Sequence, residues 1–215
     1  MNPTDNAPLP AAFRRIGWSN LCAQFSEQVA LAAAPLAAVL LLSAGPAETG
    51  WLQTAQTLPF LLLSIPAGLI VDRASRRRLM VGTEALRALS LLAIPLLLAA
   101  GGLNLPWLAM LGALGAVGTV CYSVAAPAFV PSVVPRQRLA DANRWLELAR
   151  SVAYAGGPAL GGALVGWIGV SSAYGLAAAL SILAVVLLAG LPKDEPRSGP
   201  QRDLLHDLGE GARFA

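Results

Sequence analysis

The sequence predicts an all-α membrane protein with six transmembrane helices. Three observations carry that prediction. Of 215 residues, 56% are hydrophobic and only 13% are charged, about half the charged share of an ordinary soluble domain. Six stretches each supply the roughly 20 mostly apolar residues that a bilayer core requires. They fall near residues 16–42, 50–71, 79–100, 105–129, 146–168 and 172–191. Arginine, finally, is concentrated in alternate connections between them. A chain so poor in charge cannot cover a soluble surface, which excludes a soluble enzyme, and its apolar content excludes a disordered chain.

Each span has its own polar signature. The second, fourth and sixth contain no charged residue. The first contains only Glu27, the third Glu84 and Arg87, and the fifth Glu147 and Arg150. The first is too long and too polar at its centre to be a signal peptide, and is read as a retained helix. Connections near Gly45–Glu48, Gly101–Asn104 and Gly169–Ser171 carry no Lys or Arg. The other side carries thirteen of the fifteen basic residues, from Arg14 and Arg15 through Arg73, Arg76, Arg77 and Arg78 to Arg136, Arg138, Arg144 and the tail. The positive-inside rule then puts both termini in the cytoplasm, which an even number of spans requires. Residues 1–15 read as a cytoplasmic N-terminus and 16–191 as the bundle. Residues 192–215 read as a charged linker followed by an amphipathic helix, a pattern that runs to Ala215 without a cap and reads as truncated.

The net charge of +3 lies between apolar runs, so it points to a bilayer and not to nucleic acid. Cys22 and Cys121 sit within apolar spans and His206 is the one histidine. No disulfide framework, Cys/His metal site or cofactor is expected. The chain has no phosphate-binding loop of the G-x-x-x-x-G-K-S/T type.

Two motifs are sharper than composition. Gly68, Asp72, Arg73, Arg76 and Arg77 fall at the spacing G-x-x-x-D-R-x-x-R-R between the second and third spans. Gly68 can admit a close helix neighbour, Asp72 suits a positive helix N-terminus, and the arginines hold the loop in the cytoplasm. A plain topology signal is the alternative. The fifth span contains Gly157-Pro158-Ala159-Leu160-Gly161-Gly162, where glycines four apart permit close backbone packing and Pro158 is expected to kink the helix. Together these resemble the loop signature and the antiporter motif of the major facilitator superfamily. Residues 126–143, with Arg87 and Arg150, resemble its drug-efflux branch of macrolide and enterobactin exporters. The resemblance implies the N-terminal six-helix half of a twelve-helix fold, built from two inverted three-helix repeats. The charged motif that some antiporters carry in the fourth span is missing here.

Glu27 is the most informative single residue. It lies about 11 residues, or about 16 Å, into the first span, near the middle of a ~30 Å core. A carboxylate there is costly and usually functional. Asn20, Gln24 and Glu27 share one helix face at i, i+4 and i+7. The alternative is a structural carboxylate bonded to a neighbouring helix. Gln53, Gln56 and Thr57 form a second polar patch, and Thr119, Tyr122 and Ser123 a third. Both patches suit a substrate path, and equally suit hydrogen bonding between helices. Glu84/Arg87 and Glu147/Arg150, at i, i+3, are expected to neutralise each other near the cytoplasmic face. Trp51 and Trp107 read as interface anchors, and the two cysteines as packing residues.

The expected function is transport and not enzymatic catalysis. The resemblance implies proton-coupled efflux of a hydrophobic drug-like or siderophore-like molecule by alternating access from the inner membrane. Glu27 would exchange the proton or meet a cationic substrate, and the Asp72 loop would gate the cytoplasmic side. The partners are a small-molecule substrate, protons, the bilayer, and a C-terminal half or second subunit. A six-helix scaffold, or a half-transporter acting as a dimer, is the rival reading.

Overall fold

A computed structural model describes residues 10–192, with the side chains of Ile65, Leu69, Ile70, Asp72 and Arg73 outside the described set. The tail beyond Pro192, including the expected amphipathic helix, lies outside the described residues. Six long α-helices account for nearly all of the rest. They are α1 (Ala11–Leu42), α2 (Pro46–Arg73), α3 (Arg76–Ala99), α4 (Leu105–Phe129), α5 (Leu139–Trp167) and α6 (Val170–Ala189). No strand occurs among the described residues. Of the six, α1, α3, α4 and α6 are long and apolar enough to cross a membrane.

Local chemistry sets the helix starts. Pro46 opens α2, a position where its missing N–H costs nothing, and the Glu48 carboxylate accepts from the Gly45 N–H at 2.8 Å. The Ser75 hydroxyl accepts from the Arg78 N–H at the start of α3. The Asn104 side chain accepts from the Trp107 N–H at 3.0 Å at the start of α4, an N-cap. Gly169, at φ 115°, makes the tight turn from α5 into α6 that a residue with a Cβ resists.

Two boundaries differ from the hydropathy reading. Helix α1 begins at Ala11, five residues before the apolar stretch, so Arg14 and Arg15 are helical. Helix α5 begins at Leu139, seven residues before the apolar stretch, with Asp141 in its first turn. Hydropathy marks where a helix is apolar, whereas its hydrogen bonds continue through polar turns. Pro158 does not interrupt α5.

Packing does not follow chain order. The main contacts are α1 with α5 and α6, α3 with α4 and α6, and α2 with α4. Exchanging α1–α3 for α4–α6 maps this set onto itself. That is the pattern of two three-helix units related by a pseudo-twofold axis. Small residues allow the approach. A Cβ on Gly161 would stand 2.9 Å from the Val29 carbonyl, and Gly157 faces Gln28 as closely, so both are essential to the α1–α5 contact. Gly162 meets nothing within 4 Å, and its side of α5 is not part of that seam.

The buried apolar side chains form two clusters. One includes Val29, Leu52, Leu91, Ile94, Leu108 and Tyr174. The other includes Phe13, Ile16, Met80, Phe129, Leu146 and Leu188, and lies toward the starts of α1, α3 and α5. A layer of buried polar side chains separates them.

Candidate functional site: a buried charge cluster between two apolar clusters

The polar layer is organised by Arg87 on α3, which is 3% exposed. Its Nη2 donates to both carboxylate oxygens of Glu84 at 2.6 Å and to the Ala23 carbonyl of α1 at 3.0 Å. Its Nη1 donates to the Thr119 hydroxyl of α4 at 3.0 Å. Its Nε reaches the Ser181 hydroxyl of α6 at 3.5 Å, and that hydroxyl donates to Glu84 Oε1 at 2.5 Å. One guanidinium thus ties α1, α3, α4 and α6 together. An arginine suits this because its five N–H groups fan out in a plane.

The expectation that Glu84 and Arg87 neutralise each other holds, but their place does not. They lie in the interior of the bundle and not at its rim. An i, i+3 pair in sequence reports which helix face two charges share. It does not report that three other helices close over that face. Glu147 and Arg150 differ again. Both are exposed, no ion pair joins them among the described residues, and the Arg150 guanidinium lies 5.7 Å from the centre of the Tyr154 ring.

Glu27 faces the same cluster from α1. Its Oε2 is 4.0 Å from Arg87 Nη1 and its side chain is 10% exposed. No hydrogen bond reaches it among the described residues. It lines a cavity of about 50 Å³ with Gln56, Phe60, Arg87, Thr119 and Tyr174. The two carboxylates are therefore unequal. Glu84 is bound on both oxygens, whereas Glu27 keeps its lone pairs turned to a cavity opposite a fixed positive charge.

The other expected cavity residues divide. Asn20 and Gln24 line a separate cavity of about 70 Å³ with Ser123, Glu147 and Arg150. Asn20 also donates to the Leu146 carbonyl at 3.4 Å. The shared face of α1 thus serves two cavities in succession. Thr119 reaches the charge cluster. Tyr122 makes no hydrogen bond to it among the described residues; its buried hydroxyl lies 3.4 Å from the Ser19 hydroxyl. Gln53 and Thr57 are exposed, with the Thr57 hydroxyl donating to the Gln53 carbonyl. It is Gln56, turned about 60° from Gln53 around α2, that faces the cavity, and it packs where α4 has Gly112.

Ser181 and the α4 glycines were not among the expected residues. A Cβ on Gly118 would stand 2.7 Å from the Thr83 carbonyl. Gly112, Gly115 and Gly118 recur every third residue, a signal of close helix approach. Ser181 is one hydroxyl in an apolar span and gives no such signal.

The expected gating loop is mostly helix. Gly68, Asp72 and Arg73 belong to α2 and Arg76 and Arg77 to α3. The side chains of Asp72 and Arg73 lie outside the described residues. A Cβ on Gly68 meets nothing within 4 Å, so no close neighbour among the described residues accounts for that glycine. Arg76 donates to the Ala128 carbonyl at 2.7 Å and Arg77 to the Ala189 carbonyl at 2.5 Å. Those carbonyls lie at the C-terminal ends of α4 and α6, where helix dipoles favour positive charge. Arg15 donates to the Gly190 carbonyl beside them. Cys22 and Cys121 are buried free thiols, and Trp51 and Trp107 are exposed.

Comparison with known proteins gives this architecture a context. The profile of the Major Facilitator Superfamily matches residues 16–209. The multidrug efflux pump Tap of Mycolicibacterium fortuitum is 33% identical over 172 residues, covering 74% of this chain and 41% of that protein. Multidrug efflux pumps Tap of Mycobacterium bovis and Mycobacterium tuberculosis are 30% identical over 184 residues, covering 80% of this chain and 43% of theirs. The chain thus spans less than half the length of the curated relatives it matches. A match of this extent, on an all-helical bundle with apolar helices, identifies a membrane protein of a transporter family: the chain belongs to the Major Facilitator Superfamily.

Proposed function

We propose that the six helices all cross the membrane and form the N-terminal half of a multidrug exporter that couples efflux of a hydrophobic small molecule to proton entry. The observation that carries this reading is Glu27. Its carboxylate faces a cavity between two apolar clusters, opposite Arg87, with no hydrogen bond among the described residues. A carboxylate so placed serves a group that binds and releases a proton. The similarity to efflux pumps supports export as the direction. Arginines gathered at one end of the bundle support an inner-membrane orientation with both termini cytoplasmic. In this reading the second half, or a second subunit, supplies the facing wall of the cavity. The Asp72 segment acts at the cytoplasmic junction between the two.

The test reconstitutes the complete reading frame that carries this chain into liposomes under an imposed pH gradient. A fluorescent lipophilic dye reports transport. Glu27→Gln is expected to abolish gradient-driven movement while dye binding persists. Equal gradient-driven transport by wild type and Glu27→Gln would overturn the coupling role. Should the frame end at Ala215, crosslinking in native membranes decides whether two copies pair, and a purely monomeric, transport-inactive species would refute the transport reading.

A further inference from the structure

The starts of α1 and α5 enclose a groove that the transport reading does not use. It holds about 320 Å³ and is lined by Phe13, Arg14, Gly17, Trp18 and Trp145, within the size range of small-ligand sites. The Asn20 side chain fixes these two helices in register through the Leu146 carbonyl. Phe13 forms a buried floor, while Trp18 is 52% and Trp145 44% exposed. Gly17 leaves the wall open, since a Cβ there meets nothing within 4 Å.

The two adjacent arginines at this end have separate duties. Arg15 is committed to the Gly190 carbonyl. Arg14 has no hydrogen bond or ion pair among the described residues, and it lines the groove. Among the described residues no acidic side chain lines the groove. Of the two acids on α5 near Trp145, Glu147 lines the separate Asn20 cavity with Arg150, and Asp141 is shared between Arg138 at 3.6 Å and Arg144 at 3.7 Å. The local charge is therefore positive.

We propose that this groove is a binding site for the phosphate headgroup of an anionic phospholipid in the leaflet at the arginine-rich end. Arg14 lies four residues before Trp18, about 6 Å nearer the helix start. The guanidinium meets the phosphate, and the two indoles flank the glycerol and first acyl carbons, the depth at which tryptophan settles in a bilayer. A bare apolar face would suit a partner helix equally well. A guanidinium with no hydrogen bond, ion pair or groove-lining acid among the described residues favours an anion and disfavours the choline end of a zwitterionic lipid. Basic pockets between helices recognise anionic headgroups in this way. The site depends on membrane residence and not on proton coupling, so Glu27→Gln leaves it intact.

The test uses this chain purified in mild detergent and titrated with phosphatidylglycerol or phosphatidylcholine under native mass spectrometry. Wild type is expected to retain one phosphatidylglycerol in preference to phosphatidylcholine. Arg14→Gln is expected to weaken that binding about fivefold, whereas Arg136→Gln, an equal loss of charge at an exposed site, leaves it unchanged. Phosphatidylglycerol brominated near the headgroup end of its acyl chains should quench wild-type fluorescence, and the Trp18→Phe/Trp145→Phe double variant should lose that component. Equal retention of the two lipids, or an Arg14→Gln variant with wild-type affinity, overturns the proposal. Quenching that survives the double substitution overturns it too, by placing the lipid elsewhere.

Discussion

Arginine 87 is the residue whose removal should cost this bundle most. Arg87→Met deletes the bonds to both Glu84 oxygens, to Thr119, to the Ala23 carbonyl and to Ser181. It leaves Glu84 buried with Ser181 as its remaining side-chain donor, and leaves Glu27 without the charge it faces. Removing one partner of a buried ion pair costs about 3–5 kcal/mol. At roughly 2–4 °C per kcal/mol for a chain of this size, the unfolding midpoint should fall by about 10 °C. The protein carries its own reporter, because Cys22 and Cys121 are buried thiols that react with a thiol-specific fluorophore when the helices separate. Replacing both members, Arg87→Met with Glu84→Leu, removes charge and counter-charge together, and such replacements are often neutral. The double variant should recover at least half of the loss. A midpoint within about 2 °C of wild type for Arg87→Met would refute the account. So would a double variant whose loss is the sum of the two single losses, since the pair would then be uncoupled.

The same thermal assay reads two more expectations. Gly161→Ala places a Cβ 2.9 Å from the Val29 carbonyl, and overpacking of this kind costs about 1–3 kcal/mol. Gly162→Ala, with open space at its Cβ, should be neutral or gain about 0.5 kcal/mol from helix propensity. Arg76→Gln removes the charged donor from the Ala128 carbonyl and should cost about 1 kcal/mol, whereas the exposed Arg136→Gln should leave the midpoint unchanged.

Much of this molecule is legible along the chain because its controlling quantities are local. Six helices were legible because each is centred on a run of apolar residues along the chain. The Gly157/Gly161 seam follows from small residues four apart, which place two bare backbones on one helix face. Family membership was also within reach, since the Gly68–Arg77 spacing and the Gly-Pro motif are short-range patterns. Glu27 stood out for an equally local reason: it is the one charge in a span 27 residues long.

The tertiary structure decided what those residues meet. Glu84 and Arg87 resemble Glu147 and Arg150 in spacing, yet the first pair is sealed by α1, α4 and α6 and the second faces outward. Gln56 enters the cavity while Gln53, three residues earlier on the same helix, does not. Asn20 and Gln24 share a face with Glu27 but open onto a different space. Arg15 caps the end of α6 while Arg14 is left to the groove. In each case the sequence fixes an angle around one helix axis. Which neighbour occupies that angle depends on how helices distant in the chain pack, because a buried charge is stable only where partners from several helices converge on it.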